Sequence, residues 1–315
     1  MNTEYEQAES TSQITRGYLI CIVATVLWSS TAIFIAYLTK TYQLPPLVLA
    51  FWRDLFLAIT LGLVFAVFTP KWLRVDFRDL KFLFLYGFML SLFNSLWTIS
   101  VALNGAAVST VLVYYSPAIT AVLGWRLFGE RLGGVKIAAI ILSILGCVLV
   151  SGAYNPATWQ LNALGIITGL LSGFGFAGYS LMGKASSKRG INPWTVMVYT
   201  FGVAAIFILG YNFFYAWLPP GIASMNLFWL GNQWVGWLVL LILAVGPTVG
   251  GYGLYTVSLT YLPASVANLI ATLEPAMTAV LAFLFLGEML TIPQLVGSGL
   301  IIGGVVLLRV GESRS

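Results

Sequence analysis

Three charged residues lie deep inside long apolar stretches of the sequence: Arg53, Asp54 and Glu274. A charge at membrane depth is costly, and it marks a transport path, a proton relay or an ion pair. Glu274 has Ala267, Ala271 and Thr278 at helical spacing, a stripe of small and polar residues. A carboxylate on such a stripe could pair with a substrate amine or take and release a coupling proton. It could equally form an ion pair with Arg53, or sit protonated against backbone freed by Pro275. The chain has no histidine. That excludes imidazole relays, imidazole-activated nucleophiles and histidine metal sites, and leaves Glu274 as the best internal proton carrier.

Hydroxyl, amide and aromatic side chains supply the rest of a candidate lining. Ser91, Asn94, Ser95 and Thr98 share one helical face with Trp97 beside it, and Thr248, Tyr252 and Tyr255 share another. Trp28 with Thr25 and Ser29, and Tyr179 with Ser172 and Phe176, complete the wall. Such a lining suits a small amphipathic solute. A nucleotide or sugar phosphate would call for clustered Arg and Lys, which this lining lacks. The glycine-rich run Gly246–Gly253 predicts unwound backbone facing a cavity. Cys21 and Cys147 sit in apolar runs and read as small packing residues with no disulfide framework.

These residues are carried on membrane helices. The chain is 59% hydrophobic and 8% charged, where soluble domains carry about a quarter charged residues. The net charge of +5 is small and scattered, which argues against a nucleic-acid partner. Ten apolar segments are long enough to cross a bilayer: 17–38, 46–68, 81–103, 106–128, 134–151, 163–183, 193–217, 234–259, 263–286 and 293–310. Residues 1–16 read as a short, disordered cytoplasmic tail. With the N-terminus inside, thirteen of the fifteen Lys and Arg residues fall on cytoplasmic stretches, Lys40 falls outside and Arg53 lies within a helix.

The fourth and ninth segments are copies of one another. A constant shift of 158 lays Pro117 on Pro275, Thr120–Leu123 on Thr278–Leu281, and Gly129-Glu130 on Gly287-Glu288. It also pairs Asn94 with Tyr252, Trp97 with Tyr255, and Ser116 with Glu274. Each copy holds an odd number of helices, five, so the second enters the membrane upside-down. Inverted repeats of this kind mostly belong to transporters. Pro117 and Pro275 are expected to kink the middles of their helices as a matched pair, which, with Arg53 and Glu274, makes them candidates for gating or coupling. Gly169-x-x-x-Gly173 and Gly299-x-x-x-Gly303 have the spacing of close helix contacts.

Gly129-Glu130-Arg131-Leu132 and Gly287-Glu288-Met289-Leu290, Pro45-Pro46 with Phe51-Trp52-Arg53, Trp28, and Leu273-Glu274-Pro275 together resemble the drug/metabolite transporter superfamily, in its EamA-type ten-helix branch. The resemblance covers residues 17–310. It implies an all-α integral membrane protein, with ten transmembrane helices as two inverted five-helix repeats at 17–152 and 163–310. It also implies a cavity walled by the first, third, fourth, sixth, eighth and ninth segments. Asp54 departs from the family pattern, in which an apolar residue follows the arginine, so the Arg53-Asp54 pair could be purely structural.

The expected function is secondary transport of small amphipathic metabolites, amino acids above all, exported across the cell membrane by alternating access. The expected substrate-binding residues are Trp28, Asn94, Trp97, Ser116, Tyr179, Tyr252, Tyr255 and Glu274. Partners are the substrate, the bilayer and a coupling proton or exchanged solute; no cofactor and no metal is expected. Uptake, or carriage of a sugar or cationic drug, is the alternative within transport. A membrane enzyme or scaffold is the alternative outside it. It is weakened because the sequence has no Ser/His or Cys/His constellation, and no phosphate-binding loop for ATP-driven pumping is present either.

Overall fold

The structure is a computed structural model that describes residues 2–158, 162–286 and 291–313. These residues form thirteen α-helices and no strand: α1 Asn2–Trp28, α2 Thr31–Thr41, α3 Pro46–Phe68, α4 Phe77–Val113, α5 Ser116–Phe128, α6 Gly134–Val150, α7 Ala163–Lys188, α8 Pro193–Phe213, α9 Trp234–Leu243, α10 Val249–Tyr261, α11 Ala264–Ala271, α12 Glu274–Leu286 and α13 Ile292–Ser313. Several are halves of one membrane crossing. Among the described residues, nine crossings are long and apolar enough to span a bilayer, and α6, with 17 residues, is a shorter tenth. The Gly287-Glu288-Met289-Leu290 motif and Arg314 lie outside the described residues.

The molecule is apolar outside and polar inside. Leu63, Val67, Phe68 and Ile206 are exposed, while Ser91, Asn94, Thr98 and Ser172 are fully buried. That inversion is what a lipid solvent selects, because a polar group left in hydrocarbon has no partner.

Helix pairing follows the repeat. α3 packs on α8 and α6 on α13, each against its own counterpart; α1 packs on α10 as α4 packs on α7, two contacts that a two-fold axis exchanges. At the first hairpin, Gly105 adopts φ 79° and ψ 166°, a conformation open only to glycine, and reverses the chain within α4. The hydroxyls of Ser100 and Ser109 meet across that turn at 2.8 Å. Nine residues of straight helix would hold them about 13 Å apart.

Four expectations are corrected. α1 begins at Asn2 rather than after a disordered tail. Residues 2–16 contain neither Gly nor Pro, so nothing in the sequence there interrupts a helix. Pro117 and Pro275 do not kink helix middles. Each is the second residue of a new helix, α5 or α12, where its missing N–H removes no intrahelical bond. The crossings are broken just before them, at Tyr114-Tyr115 and Thr272-Leu273, positions also related by 158. The run from Gly246 is not unwound. Ala244–Thr248 forms a single π-turn around Pro247, and the Thr248 hydroxyl donates to the Leu243 carbonyl at 2.7 Å. Finally, Gly299 and Gly303 face open space, and the close contact falls instead on Gly146 and Gly297, where α6 and α13 touch backbone to backbone.

The ends of the bundle sort by charge. Arg16 lies over the Tyr261 ring at 5.5 Å, Lys188 over Phe128 at 4.5 Å, and Arg189 pairs with Asp79 at 3.3 Å. The opposite end gathers tryptophans: Trp52 donates to the Leu227 carbonyl at 2.7 Å and Trp229 to that of Tyr42 at 3.0 Å.

A central cavity and the polar network behind it

The first crossing breaks at its middle. The hydroxyls of Ser29 and Ser30 turn back to the carbonyls of Val26 (2.6 Å) and Leu27 (3.0 Å), and α2 restarts at Thr31. Three breaks therefore converge on the interior, at residues 29–30, 114–115 and 272–273. Between them lies a small cavity of ≈ 30 Å³.

Four expected site residues line this cavity: Trp28, Trp97, Tyr252 and Glu274, and Phe176 joins them. Val113, one turn from Ser116 on its stripe, also lines it, and three further lining residues were not singled out from the sequence: Thr31, Phe93 and Tyr114. The walls come from α1, α2, α4, α7, α10 and α12. They are mostly aromatic. Trp28 stands edge-on to Tyr252 at 4.7 Å between ring centres and lies 5.7 Å from Phe176, which stacks on Phe93 at 5.2 Å. Gly251 permits this arrangement, since a Cβ there would sit 2.5 Å from the Trp28 ring.

Glu274 is the carboxylate of the cavity. It is 7% exposed and accepts a short hydrogen bond from the Tyr114 hydroxyl. It is also the first residue of α12, so the break at Thr272-Leu273 places it on a helix N-terminus, whose partial positive charge suits an anion. The expected alternative of a Glu274–Arg53 ion pair is not what forms. Arg53 Nε donates to its neighbour Asp54 at 3.1 Å, with both side chains fully buried. Among the described residues, Nη1 and Nη2 of Arg53 find no hydrogen-bond partner.

The other expected residues stand behind the wall. Asn94 donates to Asp54 at 2.7 Å and accepts from the Tyr252 hydroxyl at 2.9 Å. Ser116 donates to Asn268 at 2.9 Å, and Asn268 donates to Ser180 at 2.9 Å. The Tyr255 hydroxyl meets Ser180 at 2.7 Å, and the Tyr179 hydroxyl meets Thr256 at 2.9 Å. Asn94, Ser116, Tyr179 and Tyr255 thus build a buried network next to the cavity without lining it, and Pro117 and Pro275 stand just after the breaks. Asn268 was not foreseen either; its signal was an amide inside the apolar run of α11.

The end of the bundle that carries the basic residues is tied shut around α11. Glu130 accepts from the backbone N–H of Ala264 (2.8 Å) and Ser265 (3.3 Å) and from the Ser265 hydroxyl, to which Lys136 also donates at 3.1 Å. Lys184 donates to the carbonyls of Leu259 (3.0 Å) and Leu262 (2.8 Å). Glu130, from the first repeat, thus caps a helix of the second. No group of three or more Cys, Asp or Glu side chains that could hold a metal occurs among the described residues.

Known proteins share this plan. A solved crystal structure superposes with a TM-score of 0.71 at 17% identity, over 94% of this chain and 98% of that one, which establishes a common fold. An uncharacterized transporter of Archaeoglobus fulgidus is 26% identical over 201 residues, 64% of this chain; the match spans 66% of its length, just under two thirds. The uncharacterized transporter YxxF of Bacillus subtilis is 25% identical over 307 residues, covering 96% of this chain and 92% of its own. These relatives are named as transporters and not as enzymes. The EamA-like transporter family matches twice, over residues 15–152 and 163–310. Two matches, one to each inverted half, account for nearly the whole chain, a multi-pass membrane protein that belongs to the EamA-like transporter family.

Proposed function

We propose that this chain is a secondary transporter that exports small amphipathic amine-bearing metabolites, amino acids above all, across the cytoplasmic membrane by alternating access. One observation carries the reading: a buried carboxylate, Glu274, faces a cavity walled by Trp28, Phe93, Trp97 and Phe176. A carboxylate in an aromatic enclosure recognises an ammonium group, by charge from one side and by the faces of the rings from the others. The apolar rings accept the hydrocarbon part of the same molecule. Glu274 is also the group that would exchange a proton for the substrate. Arg53 and Asp54 pair with each other and act as a rigid support behind Asn94 and Tyr252. The distribution of Lys and Arg supports both termini in the cytoplasm. The tie around Glu130 then lies on the cytoplasmic side.

Proteoliposomes preloaded with labelled amino acids test the proposal. Efflux faster than from empty liposomes, lost in Glu274→Ala, is the expected result. No flux of any of the twenty amino acids, with clear flux of a lipophilic cation, would favour the second reading, a cationic-drug carrier, which the same carboxylate and rings would suit.

A further inference from the structure

On the reading of this cavity as an amine site, we propose that it also holds a carboxylate subsite, built from the Thr31 hydroxyl and the N-terminus of α2. Its substrates are then zwitterions with a free α-carboxylate rather than amines in general.

Thr31 lines the cavity and is 3% exposed, yet its hydroxyl has no hydrogen-bond partner among the described residues. A buried hydroxyl left unpaired is costly unless something absent from the structure completes it. It is also the first residue of α2, an eleven-residue helix that begins in the middle of a membrane crossing. Ser30 precedes it, but the Ser30 hydroxyl points backwards to Leu27, and no side chain caps the first turn. An uncapped helix start carries unsatisfied N–H groups and partial positive charge, which together bind anions.

Glu274 and Thr31 belong to the same cavity, and one contact fixes how closely their helices meet. Thr278, one turn after Glu274, donates to the Ser29 carbonyl at 2.9 Å, at the break that starts α2. The amine-binding carboxylate and the free helix start therefore face one cavity from two helices joined at Thr278 and Ser29, an arrangement suited to two opposite charges borne on one molecule. The two ends also match in sign: each helix start is electropositive, but that of α12 already holds Glu274, whereas that of α2 holds only a hydroxyl.

The test is binding of the twenty L-amino acids and, for each that binds, its α-amide, to the purified full-length protein by titration calorimetry in detergent. The amide keeps the amine and the side chain and loses only the anion. The wild type should bind the acid about tenfold more tightly than the amide, the effect of one hydrogen bond to a charged group. Thr31→Val should weaken the acid severalfold and leave the amide unchanged, while Thr31→Ser should preserve the difference. Unliganded melting temperatures of both variants check that they fold. Equal binding of acid and amide by the wild type, or equal weakening of both in Thr31→Val, would overturn the carboxylate subsite and leave the amine site standing. Failure of all twenty amino acids to bind would overturn the amino-acid reading and this inference with it.

Discussion

Tyr252 donates its hydroxyl to the side-chain oxygen of Asn94 at 2.9 Å, and the two residues are each other's counterparts under the 158-residue shift. Only positions beside the two-fold axis can touch their own equivalents, so this bond lies beside that axis. From Asn94 the network runs on to Asp54 and Arg53, and Tyr252 itself lines the cavity.

The two ends of that bond should not be equally sensitive. Tyr252→Phe removes one neutral hydrogen bond and is expected to cost about 1 kcal/mol. Asn94→Leu also strips a donor from the buried Asp54 carboxylate and should cost about 3 kcal/mol. Thermal melts in detergent would reveal the difference; equal losses would mean that Asn94 does not support Asp54.

Arg53 and Asp54 should behave as a unit. Arg53→Leu leaves a buried, unpaired carboxylate and is expected to destabilise the protein by about 3–5 kcal/mol. Adding Asp54→Leu should restore much of that loss, because an apolar pair needs no partner. A double variant as unstable as the single one would show that the guanidinium has another essential role.

Glu274→Gln keeps the shape of the cavity and the hydrogen bond from Tyr114 but cannot change charge with pH. If Glu274 exchanges the coupling proton, amino-acid flux in proteoliposomes should lose its dependence on pH while the protein remains folded. A variant whose pH profile follows that of the wild type would remove Glu274 from coupling.

Cys21 reports on the tie around α11. It is fully buried, with its thiol on the Ala267 carbonyl at 3.5 Å. Glu130→Ala removes the bonds to Ala264 and Ser265 and should raise maleimide labelling of Cys21 at least about tenfold, the effect of about 1.4 kcal/mol of lost closure. Labelling at the wild-type rate would show that Glu130 is not what holds this end shut.

The crossings and their inverted repeat were legible because apolar runs are long, turns such as Gly105 are short, and Pro117 and Pro275 recur at one spacing. Glu274 was legible because a lone carboxylate in hydrocarbon stands out. The helix breaks were not. Trp28-Ser29-Ser30 reads as ordinary helix, and what ends it is two hydroxyls turning back onto carbonyls together with the Thr278 bond from a helix 249 residues away. Thr31 and Tyr114 were missed with them, since a residue flanking a break faces a direction that helical periodicity does not give. Tyr179, Tyr255 and Asn94 were placed on the right faces, but periodicity does not separate a wall from the layer behind it. That depends on which partner hydroxyl arrives first: Thr256, Ser180 or Tyr252.

One contact bears on how such a carrier is packed. A Cβ at Gly146 would lie 2.6 Å from the Gly297 carbonyl oxygen, and one at Gly297 would lie 2.7 Å from that of Gly146. Neither position leaves room for a side chain, so α6 and α13 meet there backbone to backbone, with Ile301, Leu149 and Val150 closing round the contact. This pair is therefore packed without slack, whereas the broken crossings, whose halves are joined by two residues each, carry the cavity wall.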